Sequence, residues 1–141
     1  MVTLKISDLS VGDWVRYKGK EYTIASIYTA ADGYPHEVAL TCQGISYGGA
    51  YIDHLEPIPI TVEILEKNGF ARGSRGGFYH YLLLDKNRTL YIHASTNGWR
   101  VGITYDAAGI LRTTHLMPDM NSVHDIQHAL RLAGGDKEIN L

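Results

Sequence analysis

Residues 6–27, ISDLSVGDWVRYKGKEYTIASI, constrain the fold of this chain more than any other stretch. Leu9 and Val11 lead into Gly12-Asp13, a turn pair that feeds a strand. Val15 and Tyr17 then alternate with Arg16 and Lys18, the period of two expected of a half-buried strand. Lys18-Gly19-Lys20 makes the reversal, since Gly19 can take positive φ at no steric cost. Tyr22, Ile24 and Ile27 resume the apolar alternation with aromatic and β-branched residues. Trp14 breaks the pattern by standing beside Val15. It either packs to close one end of the lobe or lies on the outer face as a ligand platform; large aromatics are mostly buried on average.

Beyond the hairpin, 29–35 is a turn-rich loop and Glu37–Cys42 a third strand, with Val38 and Leu40 on one face. Residues 43–49 read as a second loop. Tyr51, Ile52 and Leu55 form a last short element, stopped by Pro57 and Pro59, which cannot donate to a ladder. The first lobe is therefore residues 1–57, with the size and opening hairpin of an SH3-like β-barrel. That fold binds more often than it transforms.

A second lobe covers 60–141. Thr61 is a fair N-cap and Glu63 favours a helix first turn, with Ile64 and Leu65 as its apolar side. Gly69 suits the left-handed position after the helix, with Phe70 packing back on Leu65 in a Schellman motif. Residues 72–77 form a flexible Gly/Arg loop. Four strand-like runs follow (78–84, 89–95, 99–105 and 110–116), and their short separators predict an antiparallel meander. Its face needs a lid. Ser122 to Asp125 has capping-box spacing, and Val123, Ile126, Leu130 and Ala133 share one helical face. Gly134-Gly135 ends that helix and 136–141 reads as a loose tail. The expected class is β-rich α+β, the two lobes packing as one unit.

Composition bounds the function classes. The chain has 141 residues, 45% hydrophobic and 20% charged, as in an ordinary globular protein. A formal charge of −2 argues against gripping nucleic acid along the whole surface, because phosphate neutralisation supplies most of that affinity. No apolar run reaches the roughly 18 residues of a membrane span, and the N-terminus lacks a signal-peptide core, so no membrane partner and a cytoplasmic location are expected. Cys42 is the single cysteine, which excludes an internal disulfide and a cysteine-built zinc site. Of ten tyrosines, Tyr17, Tyr22, Tyr28, Tyr34, Tyr47 and Tyr51 fall in the first lobe. They suit core packing, a wet barrel rim or a recognition surface.

Several short pieces, LeuSerValGlyAsp (9–13), TyrLysGly (17–19) with Tyr22, GluProIleProIleThr (56–61), AsnGlyPhe (68–70) and ValHisAspIleGln (123–127), carry a resemblance. Together they resemble a group of small bacterial proteins of gut-dwelling anaerobes, often encoded near phage-like or mobile genes. The middle strands match only in character. The resemblance implies a small intracellular accessory protein of phage-linked origin. It brings no activity to carry over, and it draws attention to His124 and Gln127 without giving them a role.

The chemistry-bearing constellations are sparse. His124 and His128 share a helix face, but the glutamate a zincin needs after its first histidine is here Asp125, and no third ligand is evident. His80, His93 and His115 lie in predicted strands whose phase leaves convergence open. Cys42 reads as a small inert core residue, and Asp85, Asp106 and Asp119 as turn residues. No nucleophile elbow or phosphate-cradling glycine loop occurs, so neither enzyme activity nor a cofactor is expected. Two binding readings remain. One is a protein-interaction or assembly module, open to self-association, using Trp14 and the tyrosines. The other is a nucleic-acid accessory protein using Arg16, Lys18 and Lys20 on the hairpin and Arg72, Arg75 and Tyr79 around the Gly/Arg loop.

Overall fold

Two reversals through the left-handed region fix the register of the first sheet. In the computed structural model Lys18 and Gly19 have φ of 51° and 77°, and Gln43 and Gly44 have 52° and 78°. Paired positive φ is the type I′ geometry whose twist matches that of the flanking strands. The structure describes residues 4–31, 34–73, 79–95, 98–107, 110–135 and 137–141, with backbone alone at 106–107 and 110–119.

The first reversal joins β1 (Trp14–Tyr17) to β2 (Lys20–Tyr28). The second joins β3 (Glu37–Cys42) to β4 (Ile45–Tyr51). A single 3-10 turn, Ile52–His54, leads into β5 (Leu55–Glu56). The sheet runs β4-β3-β2-β1-β5, every neighbouring pair antiparallel. No ladder joins β4 to β5 among the described residues, so this is an open sheet where a barrel was expected.

Most of the expected 43–49 loop is strand β4. Gly48 falls between the Ala39–Gly49 and Leu40–Tyr47 pairs as the extra residue of a bulge. That bulge and the adjacent Gly49 blur the alternation in the sequence. The turn ahead of β1 follows expectation: Gly12 has φ 91°, and Asp13 accepts the Ser10 N–H at 2.8 Å. Val15, Ile24, Val38, Leu40, Ile52 and Leu55 form the core of this unit, with Leu4 and Leu9. Each such side chain contributes about 1.5–3 kcal/mol through burial. The unit comprises Met1–Pro59 and Ser122–His124. The Val123 N–H donates to the Ile58 carbonyl at 2.8 Å, beside an antiparallel Pro59–Ser122 bridge.

The second unit comprises Ile60–Asn121 and Asp125–Leu141. It opens with α1 (Val62–Lys67), capped where Thr61 Oγ1 accepts the Ile64 N–H at 3.2 Å. The Schellman motif is present: Phe70 N–H reaches Leu65 O at 3.0 Å and Gly69 N–H reaches Glu66 O at 3.1 Å. The second sheet contains β6 (Ala71–Arg72), β7 (Tyr79–Leu83), β8 (Arg88–Ser95), β9 (Gly98–Ala107) and β10 (Ile110–Met120). Its order is β10-β9-β8-β7-β6, and all pairs are antiparallel. The last two strands outrun their expected ends, so Asp106 and Asp119 lie in strands instead of turns. Pro118 is tolerated because β10 is an edge, and its register shifts around that proline.

Helix α2 spans Val123–Leu132. Its end repeats the same cap, with Gly135 N–H to Leu130 O at 2.9 Å and Gly134 N–H to Arg131 O at 3.1 Å. Arg88 Nη1 donates to the freed Ala133 carbonyl at 2.5 Å. The described part of the tail is anchored instead of loose. Ile139 is buried, and Asn68, itself buried, holds Asn140 by two hydrogen bonds to its backbone.

Candidate binding surface

One end of the first sheet's core face ends in tyrosine and lysine. Pairing puts Tyr17 opposite Lys20, Val15 opposite Tyr22, Ile24 opposite Leu40 and Leu40 opposite Tyr47. With residues alternating between faces, this places Tyr17, Tyr22, Lys20 and Tyr47 on the side of the core. Tyr22 is buried and Tyr47 is 40% exposed. Their rings meet edge-to-face with centroids 5.0 Å apart, and Tyr17 meets Tyr22 at 6.4 Å. Lys20 Nζ stands 5.1 Å from the Tyr47 centroid and 5.5 Å from that of Tyr22. Lys18 Nζ stands 5.2 Å from the Tyr17 centroid.

The rim is electrostatically unbalanced. A hydrogen bond with Tyr47, then the charge interactions with Tyr47 and Cys42, hold the Lys20 ammonium's pKa above its ordinary value. Neither Lys18 nor Lys20 pairs with a carboxylate among the described residues. Beside them, Ile45 opens β4 and is 61% exposed.

The basic residues of the hairpin do not form one patch. Trp14 and Arg16 alternate with Val15, so they lie on the face opposite the core. Trp14 is half-buried there. Arg16 Nη2 pairs across the strands with Glu21 Oε1 at 3.3 Å. The sheet thus separates Trp14 and Arg16 from Tyr17 and Lys20, while Lys18 sits in the turn with its Nζ over the Tyr17 ring. It adds Tyr47, a residue of the expected 43–49 loop that lies in strand β4. The signal was the Gln43-Gly44 turn followed by Ile45-Ser46-Tyr47 alternation.

In the second unit, Tyr79, Tyr81 and Tyr91 share one face of the sheet, with centroids 6.4 Å apart (Tyr79–Tyr81) and 5.8 Å apart (Tyr79–Tyr91). His93, opposite Tyr79, joins that face, and exposed Arg100 lies opposite His93. A side chain added at Gly73 would overlap the Tyr79 ring, so the glycine is the floor on which that ring rests. Arg72 is exposed, with Nη2 3.5 Å from Glu66 Oε1, a surface pair worth little. Arg75 lies outside the described residues. An open pocket of about 450 Å³ is lined by Leu82, Leu83 and Arg88, among others. Its arginine is already held by Asp85 and by the Ala133 carbonyl.

The histidines are dispersed. His80 is buried with Nε2 3.5 Å from Glu66 Oε1, on the face opposite His93, so these two do not converge. The His115 side chain lies outside the described residues. His124 is buried and its Nε2 lies 3.2 Å from Ser122 Oγ, while His128 is half-buried. Among the described residues no three or more His, Cys, Asp or Glu side chains group as a metal site. No helix among them is long and apolar enough to cross a membrane. Comparison with protein-family models, with curated proteins and with solved structures finds no match.

Proposed function

We propose that this chain is a non-catalytic protein-interaction or assembly module whose partner surface is the tyrosine–lysine rim of its first unit. The observation that carries this is the Tyr17, Tyr22 and Tyr47 cluster under Lys18 and Lys20, beside exposed Ile45. Tyrosine is enriched at interfaces because its ring buries well and its hydroxyl tolerates water. An SH3-like reading of the unit supports a binding role. The β4-β3-β2-β1-β5 order, with a 3-10 turn between β4 and β5, is consistent with it. A phage-linked, intracellular origin rests on the scattered sequence resemblance alone.

The test is affinity capture from a lysate of the source cells, with and without nuclease, using wild type and Tyr47→Ala. A protein partner that survives nuclease and is lost with Tyr47→Ala supports the reading. Capture of no protein refutes it.

The face bearing Tyr79, Tyr81, Tyr91 and Arg100 favours a second reading, a single-strand nucleic-acid contact through base stacking. It predicts salt-sensitive binding that falls in Tyr91→Ala and when Arg72 and Arg75 are neutralised. Unchanged affinity in those variants removes that site.

A further inference from the structure

Strand β4 is the outer edge of the first sheet, and no described residue pairs with its free side. Such edges are usually blunted by lysine, proline, a bulge or a short length. β4 contains neither lysine nor proline, and its bulge at Gly48 leaves Ile45–Tyr47 as the regular stretch of free edge. Most of its residues are exposed, Ile45, Tyr47 and Tyr51 among them. Unpaired backbone groups of this kind are matched by another extended peptide backbone, which a nucleic acid does not offer.

The side chains at the edge specify the charge of that peptide. Tyr47 projects from β4 to the Lys20 ammonium on β2, with the ring centroid 5.1 Å from Nζ. Lys18 stands nearby over Tyr17 at 5.2 Å, and neither cation is neutralised by a carboxylate among the described residues. A strand laid along β4 would bring its own side chains beside this rim. At the Ile45–Tyr47 end a carboxylate would meet the Lys20 charge and a lysine would be repelled, whereas the Glu37 side chain lies against Gly49 at the other end.

We propose that β4 and the Tyr47–Lys20 pair receive an extended acidic segment of a partner protein, added to the sheet as a sixth strand. This rests on the interaction-module reading and names the partner's chemistry. The backbone of the segment would pair with the β4 edge. Its apolar side chains would cover Ile45 and Tyr47, and a carboxylate beside Tyr47 would approach Lys20.

The probe is an extended Glu-Val repeat peptide, titrated into the whole chain and followed by amide chemical shifts and hydrogen exchange. A Lys-Val repeat, an N-methylated Glu-Val repeat and an oligothymidylate are run beside it. The expected result is shifts at Ile45, Ser46 and Tyr47 and slowed exchange along β4 with the Glu-Val peptide. Neither the Lys-Val nor the N-methylated peptide should reproduce them. Lys20→Glu should weaken binding by about tenfold or more, because it replaces one charge attraction with a repulsion. Shifts that avoid β4, no shifts at all, or equal binding of the N-methylated peptide overturn the proposal. Stronger perturbation of the same residues by oligothymidylate overturns it in favour of nucleic acid. A lysate partner still captured by Lys20→Glu leaves the interaction module standing and removes this site.

Discussion

Replacing Asn68 tests whether the C-terminal tail is part of the second unit's fold. The side chain is buried and makes three hydrogen bonds. Nδ2 donates to Ile64 O and to Asn140 O, each at 2.8 Å, and Oδ1 accepts Asn140 N–H at 2.7 Å. At about 0.5–1.5 kcal/mol net for each bond, losing all three costs about 1.5–4.5 kcal/mol. Asn140 is exposed, so water recovers part of this, and Asn68→Ala should cost about 2 kcal/mol. At roughly 3 °C per kcal/mol for a chain of this length, Tm should fall by about 6 °C. Asn68→Asp keeps the acceptor but points a carboxylate at two carbonyls, so it should cost more than alanine. Urea unfolding gives the energies, and exchange of the Asn140 amide shows whether the clasp itself is lost. A cost below about 0.5 kcal/mol for Asn68→Ala, or unchanged Asn140 protection, would refute the reasoning.

Other expectations follow from single features. Gly69 has φ +87° and its nearest neighbours are 3.7 Å and 3.9 Å from an added Cβ. Gly69→Ala therefore meets conformational strain without a clash, and urea unfolding should show a loss of about 1–2 kcal/mol. Hydrogen bonds from the Arg88 side chain, then from the Asn87 N–H, hold the Asp85 pKa below the usual carboxylate value. A lowered folded pKa stabilises above the unfolded value of about 4 and is lost as pH falls through the folded one. The stability gap between wild type and Asp85→Asn should therefore narrow on acidification, and a gap constant with pH would contradict the Arg88 contact. For Lys20 the sign is opposite. Its raised pKa stabilises below the unfolded value of about 10.4 and is lost as pH rises through the folded one. Tyr47→Phe removes the hydroxyl, so Lys20 should titrate at lower pH by NMR, and an unmoved titration would deny the contact.

The parts of the fold legible in sequence are those written in local chemistry. The Lys18-Gly19 reversal, the Thr61 cap and the Gly69-Phe70 motif each need only a few adjacent residues, and each is present. Strand β3 was legible to the residue because its alternation is uninterrupted. β4 was not, because the bulge at Gly48 shifts phase midway and glycines depress the apolar signal. The anchored tail was illegible for another reason. Asn68 and Asn140 are 72 residues apart, and nothing local in a polar C-terminus announces a partner that distant.

The candidate site shows the same division between local and long-range information. Lys18, Lys20, Tyr17 and Tyr22 stand together in the sequence, so a basic, aromatic hairpin was visible from the start. Which of its residues act together was decided by two long-range facts. Strand phase sends Trp14 and Arg16 to one face and Tyr17 and Lys20 to the other, dividing a patch that looks continuous in sequence. The β3–β4 pairing then brings in Tyr47, whose ring contacts both Tyr22 and Lys20. Charge count alone would have grouped Arg16 with the lysines, yet Arg16 is paired with Glu21 while neither lysine pairs with a carboxylate among the described residues. An anionic ligand therefore gains more at the core-face rim than at the outer face, because binding there displaces no existing carboxylate. The edge strand β4 meets that charge through one side chain, Tyr47, whose ring reaches across to Lys20.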